Sequence, residues 1–295
     1  MVPTKFPRRV IPCSALYFRL PFDRNSPENL FPLNHLMPDS IPDFSRFRGA
    51  VFDFDGTVSL LTEGWQDVMQ NLFEETLFKF VPFSGEEAET ERKNIARFIF
   101  EMTGKPSIFQ CIRMAEEVVN CGGPKLDSQA LHEEFSRRLG NRIEEREKAI
   151  QTGKISCDEH MVPGARAFLE RMKSWGLSMM LVSGTEDPIV QRQCRLLGLN
   201  DFFDGGIFGS PTDVHHFSKQ AVIQQFMDQF GLKPSEVVGF GDGFVETRFV
   251  HEIGGFAVGM ATREHERDGQ INEWKRDQLL SVGADFIAPD FEVFL

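Results

Sequence analysis

The apolar positions of this chain follow two patterns, and the change between them divides the sequence. At 51–54, Val51, Phe52 and Phe54 read as the end of a buried strand that gives way to a Gly56-Thr57 turn. From residue 160 onward the runs alternate. Phe168, Leu169, Met172 and Trp175 recur at helical spacing over 163–175, with Gly176 as the stop. An apolar run at 177–182 then ends in Ser183-Gly184-Thr185. Asp187 and Pro188 predict a helix start, with Asp187 as the cap and Pro188 first in the helix, and Gly198 ends that helix after about residue 197. A loop over 202–209 includes a short strand at 207–208, and Ser218 caps a helix through Lys219, Val222, Ile223, Phe226 and Phe230. Residues 237–240 form a third buried strand ending in Gly241-Asp242-Gly243, followed by strands at 256–259 and 286–287 around a helix at 272–282. Such alternation predicts an α/β fold with a parallel, doubly wound sheet.

Between these regions, residues 59–158 carry no strand signal. Trp65, Val68, Met69, Leu72 and Phe73 recur at helical spacing, as do Ile95, Phe98, Ile99 and Met102, and Leu131, Phe135, Leu139 and Ile143. Four or so amphipathic helices follow. Ser107 and Gln110 have the form of a capping box opening one of them. Residues 1–45 hold eight prolines and no sustained period, which suggests an extended arm or a leader. The expected organisation is an arm at 1–45, an α/β core at 46–58 and 159–295, and a helical block at 59–158.

Composition narrows the function classes. The 295 residues are 41% hydrophobic and 26% charged, as in soluble globular proteins. A formal net charge of −12 leaves no excess of Lys and Arg to neutralise phosphates, so a general nucleic-acid binder is not expected. No apolar run approaches the roughly 20 residues that a membrane helix needs. Five cysteines, an odd number with no Cys-x-x-Cys pair, fit a reduced, cytoplasmic chain better than a disulfide framework or a zinc site. Pro3, Pro7 and Pro12 interrupt the apolar core that a signal peptide would need.

Candidate chemistry gathers at the strand ends. Asp53 and Asp55 end the first strand, Ser183 the second and Asp242 the third, and in a parallel sheet these ends converge on one crevice. Two carboxylates buried together call for a cation, so a divalent metal is expected. Lys219, opening a helix between the second and third strands, could bring a further positive charge.

The sequence Asp53-Phe54-Asp55-Gly56-Thr57 resembles the first motif of the haloacid dehalogenase superfamily, in particular its phosphatase branch. Ser183 matches the second motif, Lys219 the third and Asp242 the fourth, and the resemblance spans most of the chain from Val51 to Phe286. It implies a Rossmann-like core with a helical cap inserted after motif one, and Mg²⁺-dependent hydrolysis of a small phosphorylated metabolite through an aspartyl-phosphate. In that scheme Asp53 is the nucleophile and Asp55 the general acid and base. Ser183, Gly184 and Lys219 hold the phosphate, and Asp53, Asp242 and the backbone carbonyl of Asp55 hold Mg²⁺. The family most often has a second aspartate four residues after Asp242, whereas this chain has Glu246, either a direct ligand or a holder of a metal-bound water. Within the cap, Lys105, Gln110 and Arg113 are candidates for contact with the rest of the substrate. The alternatives are a phosphomutase resembling β-phosphoglucomutase, or a silent phosphometabolite-binding protein.

Other motifs weigh less. Lys233 lies in an exposed link, Gly239-x-Gly241-x-Gly243 misplaces its third glycine for a dinucleotide loop, and no Gly-x-Ser-x-Gly elbow exists. The adjacent His215 and His216 read as surface residues. Oligomeric state is not legible.

Overall fold

The structure is a computed structural model that describes residues 41–103, 105–211 and 218–295. Most of the proline-rich arm, and His215 and His216, lie outside the described residues. In chain order the elements are β1 (Gly49–Phe52), α1 (Trp65–Phe80), α2 (Glu86–Glu101), α3 (Ser107–Asn120), α4 (Ser128–Gln151), α5 (Ala165–Ser174), β2 (Ser178–Glu186), α6 (Asp187–Leu196), β3 (Ile207–Ser210), α7 (Lys219–Phe230), β4 (Val237–Gly241), α8 (Phe244–Glu252), β5 (Phe256–Met260), α9 (Glu273–Ser281) and β6 (Phe286–Ala288).

The strands form one sheet in the order β3-β2-β1-β4-β5-β6, every pairing parallel. β1 lies between β2 and β4, with Phe52 opposite both Leu181 and Phe240. A strand buried on both faces reads as continuously apolar, and its period of two sends alternate side chains to opposite layers. Ala50, Phe52, Met179 and Leu181 pack on one side with Phe168 and Leu169 of α5 and Val190 of α6. Val51, Met180 and Val182 pack on the other with Ile223, Phe226 and Met227 of α7. Helices therefore cover both faces, as a doubly wound sheet requires.

The first of these layers is rich in phenylalanine. Phe52 stacks on Phe240 at 4.8 Å, Phe168 stacks on Phe291 at 5.2 Å, and Phe44 meets Phe294 edge-on at 4.9 Å. A tyrosine hydroxyl there would need a buried partner, so the rings favour Phe.

Helices α1 to α4 bury a separate set of side chains, including Met69, Phe73, Ile95, Ile99, Met114, Val118 and Phe135. The helical spacing of these positions builds a cap with its own core, inserted between β1 and α5. The chain that leads into it is pinned by α4: Arg146 Nη1 donates to the carbonyls of Leu61 at 2.7 Å and Glu63 at 3.1 Å. No helix among the described residues is long and apolar enough to cross a membrane.

The structure departs from the sequence reading at several element ends. Ser107 does not cap α3: Pro106 occupies that position, and the Ser107 hydroxyl lies 2.9 Å from His132 Nε2 on α4. Gln110 therefore lies in the helix without the expected reciprocal bond. Strand β2 continues past 182 to Glu186, which displaces Asp187 from the cap to the first helical position with Pro188 second. The Asp187 carboxylate instead accepts a hydrogen bond from the Gly209 amide at 2.9 Å, tying α6 to β3. Helix α8 was not anticipated: it is only nine residues long, and its N-cap, Gly243, carries no side chain to mark the start.

Replacing Phe168 with Ala removes a fully buried ring that touches Phe44, Phe240, Phe291 and Phe294. The expected loss is about 3–5 kcal/mol of unfolding free energy in a denaturant titration. A loss under about 1 kcal/mol would mean that the cluster closes around the gap.

Candidate active site

The site begins where β1 runs out. Asp53 keeps the register for one more residue, its amide donating to Phe240 O at 2.9 Å. Beyond it the chain wraps around the carbonyl of Phe54, which accepts from the amides of Val58 at 2.9 Å and Ser59 at 2.8 Å. Gly56 makes this turn with φ of 75°, and a Cβ there would lie 2.3 Å from Asp242 Oδ2. Only glycine satisfies both demands.

Asp53 is buried, and its Oδ1 accepts from Lys219 Nζ at 2.8 Å. Ser218 caps α7 by accepting from the Ala221 amide, which sets Lys219 on the helix's first turn, aimed at the sheet edge. The same ammonium donates to Glu246 Oε2 at 3.0 Å, while Glu246 Oε1 accepts from the Gly243 amide at 3.0 Å. Asp242, at the end of β4, has its Oδ2 held by Lys275 Nζ at 2.9 Å, and Lys275 also reaches Glu264 Oε1 at 2.6 Å. Asp242 Oδ1 is buried without a partner.

Four carboxylates thus face two ammonium groups, leaving two negative charges uncompensated. Burial, together with the charges of Glu246 and Asp242, pushes the Asp53 carboxyl well above its usual range despite Lys219. Asp242 is raised to about 6, by burial first and Glu264 next, against the pull of Lys275. Burial opposes the charged form of Lys219, but Asp53 and Glu246 outweigh it and hold its pKa above the usual lysine value. Oxygens of Asp53, Asp242 and Glu246 lie within 4.8 Å of one another. An all-oxygen donor set, an orphaned carboxylate oxygen and an excess of two negative charges fit a hard divalent cation.

Asp55 is held separately. Its Oδ1 accepts from Thr62 Oγ1 at 2.6 Å, and its Oδ2 from Thr185 Oγ1 at 2.7 Å and Ser183 Oγ at 3.3 Å. Burial raises its pKa, and these three donors moderate the shift. Asp55's side chain therefore stands outside the three-carboxylate group.

A cleft of about 770 Å³ opens above these residues and is lined by Asp53, Asp55, Ser183, Gly184 and Asp242 below and by the cap above. Lys105 and Gln110 line it; Arg113 does not, and donates to Glu116 on its own helix at 3.3 Å. The sequence reading missed Thr62, Thr185, Glu264 and Lys275. Only Thr185 had a signal, standing two residues beyond Ser183 and so on the same strand face.

A family model for hydrolases, described as haloacid dehalogenase-like hydrolase, matches residues 47–254. No curated protein matches the sequence. Among solved structures, β-phosphoglucomutase from Clostridium difficile superposes with a TM-score of 0.53 at 15% identity, covering 83% of this chain and 91% of that one. A predicted phosphoglycolate phosphatase from Haemophilus somnus gives 0.53 at 16% identity, over 83% and 95%. A hydrolase of the same superfamily from Deinococcus radiodurans, solved with bound phosphate and sodium, gives 0.52 at 13%, over 85% and 94%. These likenesses establish the fold, and the family match, which spans well over half of the sequence, establishes that this chain belongs to the haloacid dehalogenase-like hydrolases.

Proposed function

We propose that this chain is a Mg²⁺-dependent phosphomonoesterase that hydrolyses a small phosphorylated metabolite through an aspartyl-phosphate, an acyl phosphate on Asp53. The observation that carries this reading is the pairing of two differently held carboxylates. Asp53 lies against Lys219, and Asp55 lies in a nest of hydroxyls. One is set to attack and the other to move a proton. A Mg²⁺ ion would be held by Asp53, Asp242, Glu246 and the carbonyl of Asp55, and when bound it would offset the negative charge of the phosphoryl group.

In the first step an Asp53 carboxylate oxygen forms a bond to phosphorus as the bond from phosphorus to the ester oxygen breaks. Asp55 gives its proton to that departing oxygen, so an alcohol leaves. Lys219 and Ser183 bind the transferring group's oxygens. In the second step Asp55 takes a proton from water, the water oxygen bonds to phosphorus, and the bond from phosphorus to the Asp53 oxygen breaks, releasing inorganic phosphate and restoring the carboxylate. Raised proton affinity at Asp55 suits both halves of this cycle. The structural neighbours include a predicted phosphoglycolate phosphatase and a β-phosphoglucomutase. A phosphomutase would use the same groups, and only a bisphosphate requirement would select it.

Three outcomes are expected. Phosphate release from an aryl phosphate should depend on Mg²⁺, stop with chelator, and vanish in Asp53→Asn; release that survives the substitution rules out Asp53 as the nucleophile. Thr185→Val should lower kcat about ten- to a hundredfold with little change in KM, and Thr185→Ser should restore it, because the hydroxyl positions Asp55. At a hundredfold excess over its Kd, Mg²⁺ should raise Tm by about 4–8 °C in a thermal melt. Asp242→Asn should abolish that shift, and an undiminished shift would place the ion elsewhere.

A further inference from the structure

The cleft is much larger than a phosphoryl group, and its roof has a definite character. Trp65, Ile108, Phe135, Leu139 and Ile143 of the cap line it, joined by Ile189 of α6. A volume of about 770 Å³ falls in the range of pockets that enclose drug-sized ligands, about 300–1,000 Å³. A two-carbon phosphocarboxylate would leave most of that space, and most of this apolar wall, against water.

The charges beyond the phosphate site are mainly negative. Glu144, Glu147 and Glu186 line the cleft, and the Arg192 guanidinium already donates to Glu147 Oε1 at 3.0 Å. His132 is engaged with Ser107, and burial pushes its pKa down, so it brings no cation at neutral pH. Lys105 also lines the cleft, as an exposed side chain, and is the one lysine among the described lining residues. A second anionic group on the substrate would meet carboxylates rather than a cradle. Two buried polar atoms on the wall, Gln110 Oε1 and Ser210 Oγ, have no partner among the described residues, as expected where a ligand supplies one.

We propose that the substrate is the phosphomonoester of a neutral, largely apolar alcohol of ring size or larger, carrying one phosphate and no second anionic group. The proposal rests on the phosphomonoesterase reading. It favours hydrolysis over mutase chemistry, since the described lining residues gather no cluster of cations for a second phosphate. The cap's role is then to cover an apolar body, with affinity drawn from buried surface rather than from charge.

The test compares 2-naphthyl phosphate, phenyl phosphate, 2-phosphoglycolate and fructose 1,6-bisphosphate. Binding is measured calorimetrically with Mg²⁺ on the full chain carrying Asp53→Asn, where the ester survives, and phosphate release is measured on the native chain. Naphthyl phosphate should bind about tenfold or more tightly than phosphoglycolate or the bisphosphate, with phenyl phosphate between. Glu144→Lys, a change at an exposed position, should narrow the gap by favouring the ligands that carry a second anionic group. Phosphoglycolate or the bisphosphate binding as tightly as naphthyl phosphate overturns the proposal. If the affinity order holds while the native chain releases phosphate from none of the four, the hydrolase reading falls and the ligand preference stands. If no monoester binds, both fall.

Discussion

Four carboxylates sharing one small buried volume is the constraint from which the rest of this structure follows. Asp53, Asp242 and Glu246 are each under 5% exposed, and anions so far from water persist only with nearby positive charge. The protein provides part of it through Lys219 and Lys275, which arrive from α7 and α9 on separate parts of the sheet. Each lysine bridges two carboxylates, so the four acids are tied in two pairs. The remaining negative charge suits the centre to a divalent cation. A parallel sheet is what allows this arrangement, because it delivers the ends of β1, β2 and β4 to one edge.

Much of this was legible because the signals are local. Asp53, Asp55, Ser183 and Asp242 each end an apolar run, and a strand's buried end beside a polar turn can be read from a few residues. Lys219 was legible through its neighbour, since a serine cap fixes where the first helical turn points. Lys275 was not. Helix α9 carries four charged residues in nine, and nothing nearby marks which of its cations turns inward; that is decided by Asp242 and Glu264, 33 and 11 residues away. Ser107 illustrates the converse. The spacing of Ser107 and Gln110 suits a capping box, but Pro106 and His132 gave the hydroxyl another partner. Thr62 lies in the link between core and cap, where no periodicity operates.

The tether from Lys275 has a wider implication. The match to the family model ends at residue 254, yet Lys275 and Glu264, which set the charge around Asp242, both lie beyond it. The motif residues and the lysine that balances Asp242 therefore stand on different stretches of the polypeptide. A substitution in α9 can change the charge around Asp242 while Asp53, Asp55, Ser183, Lys219 and Asp242 itself all stay as they are.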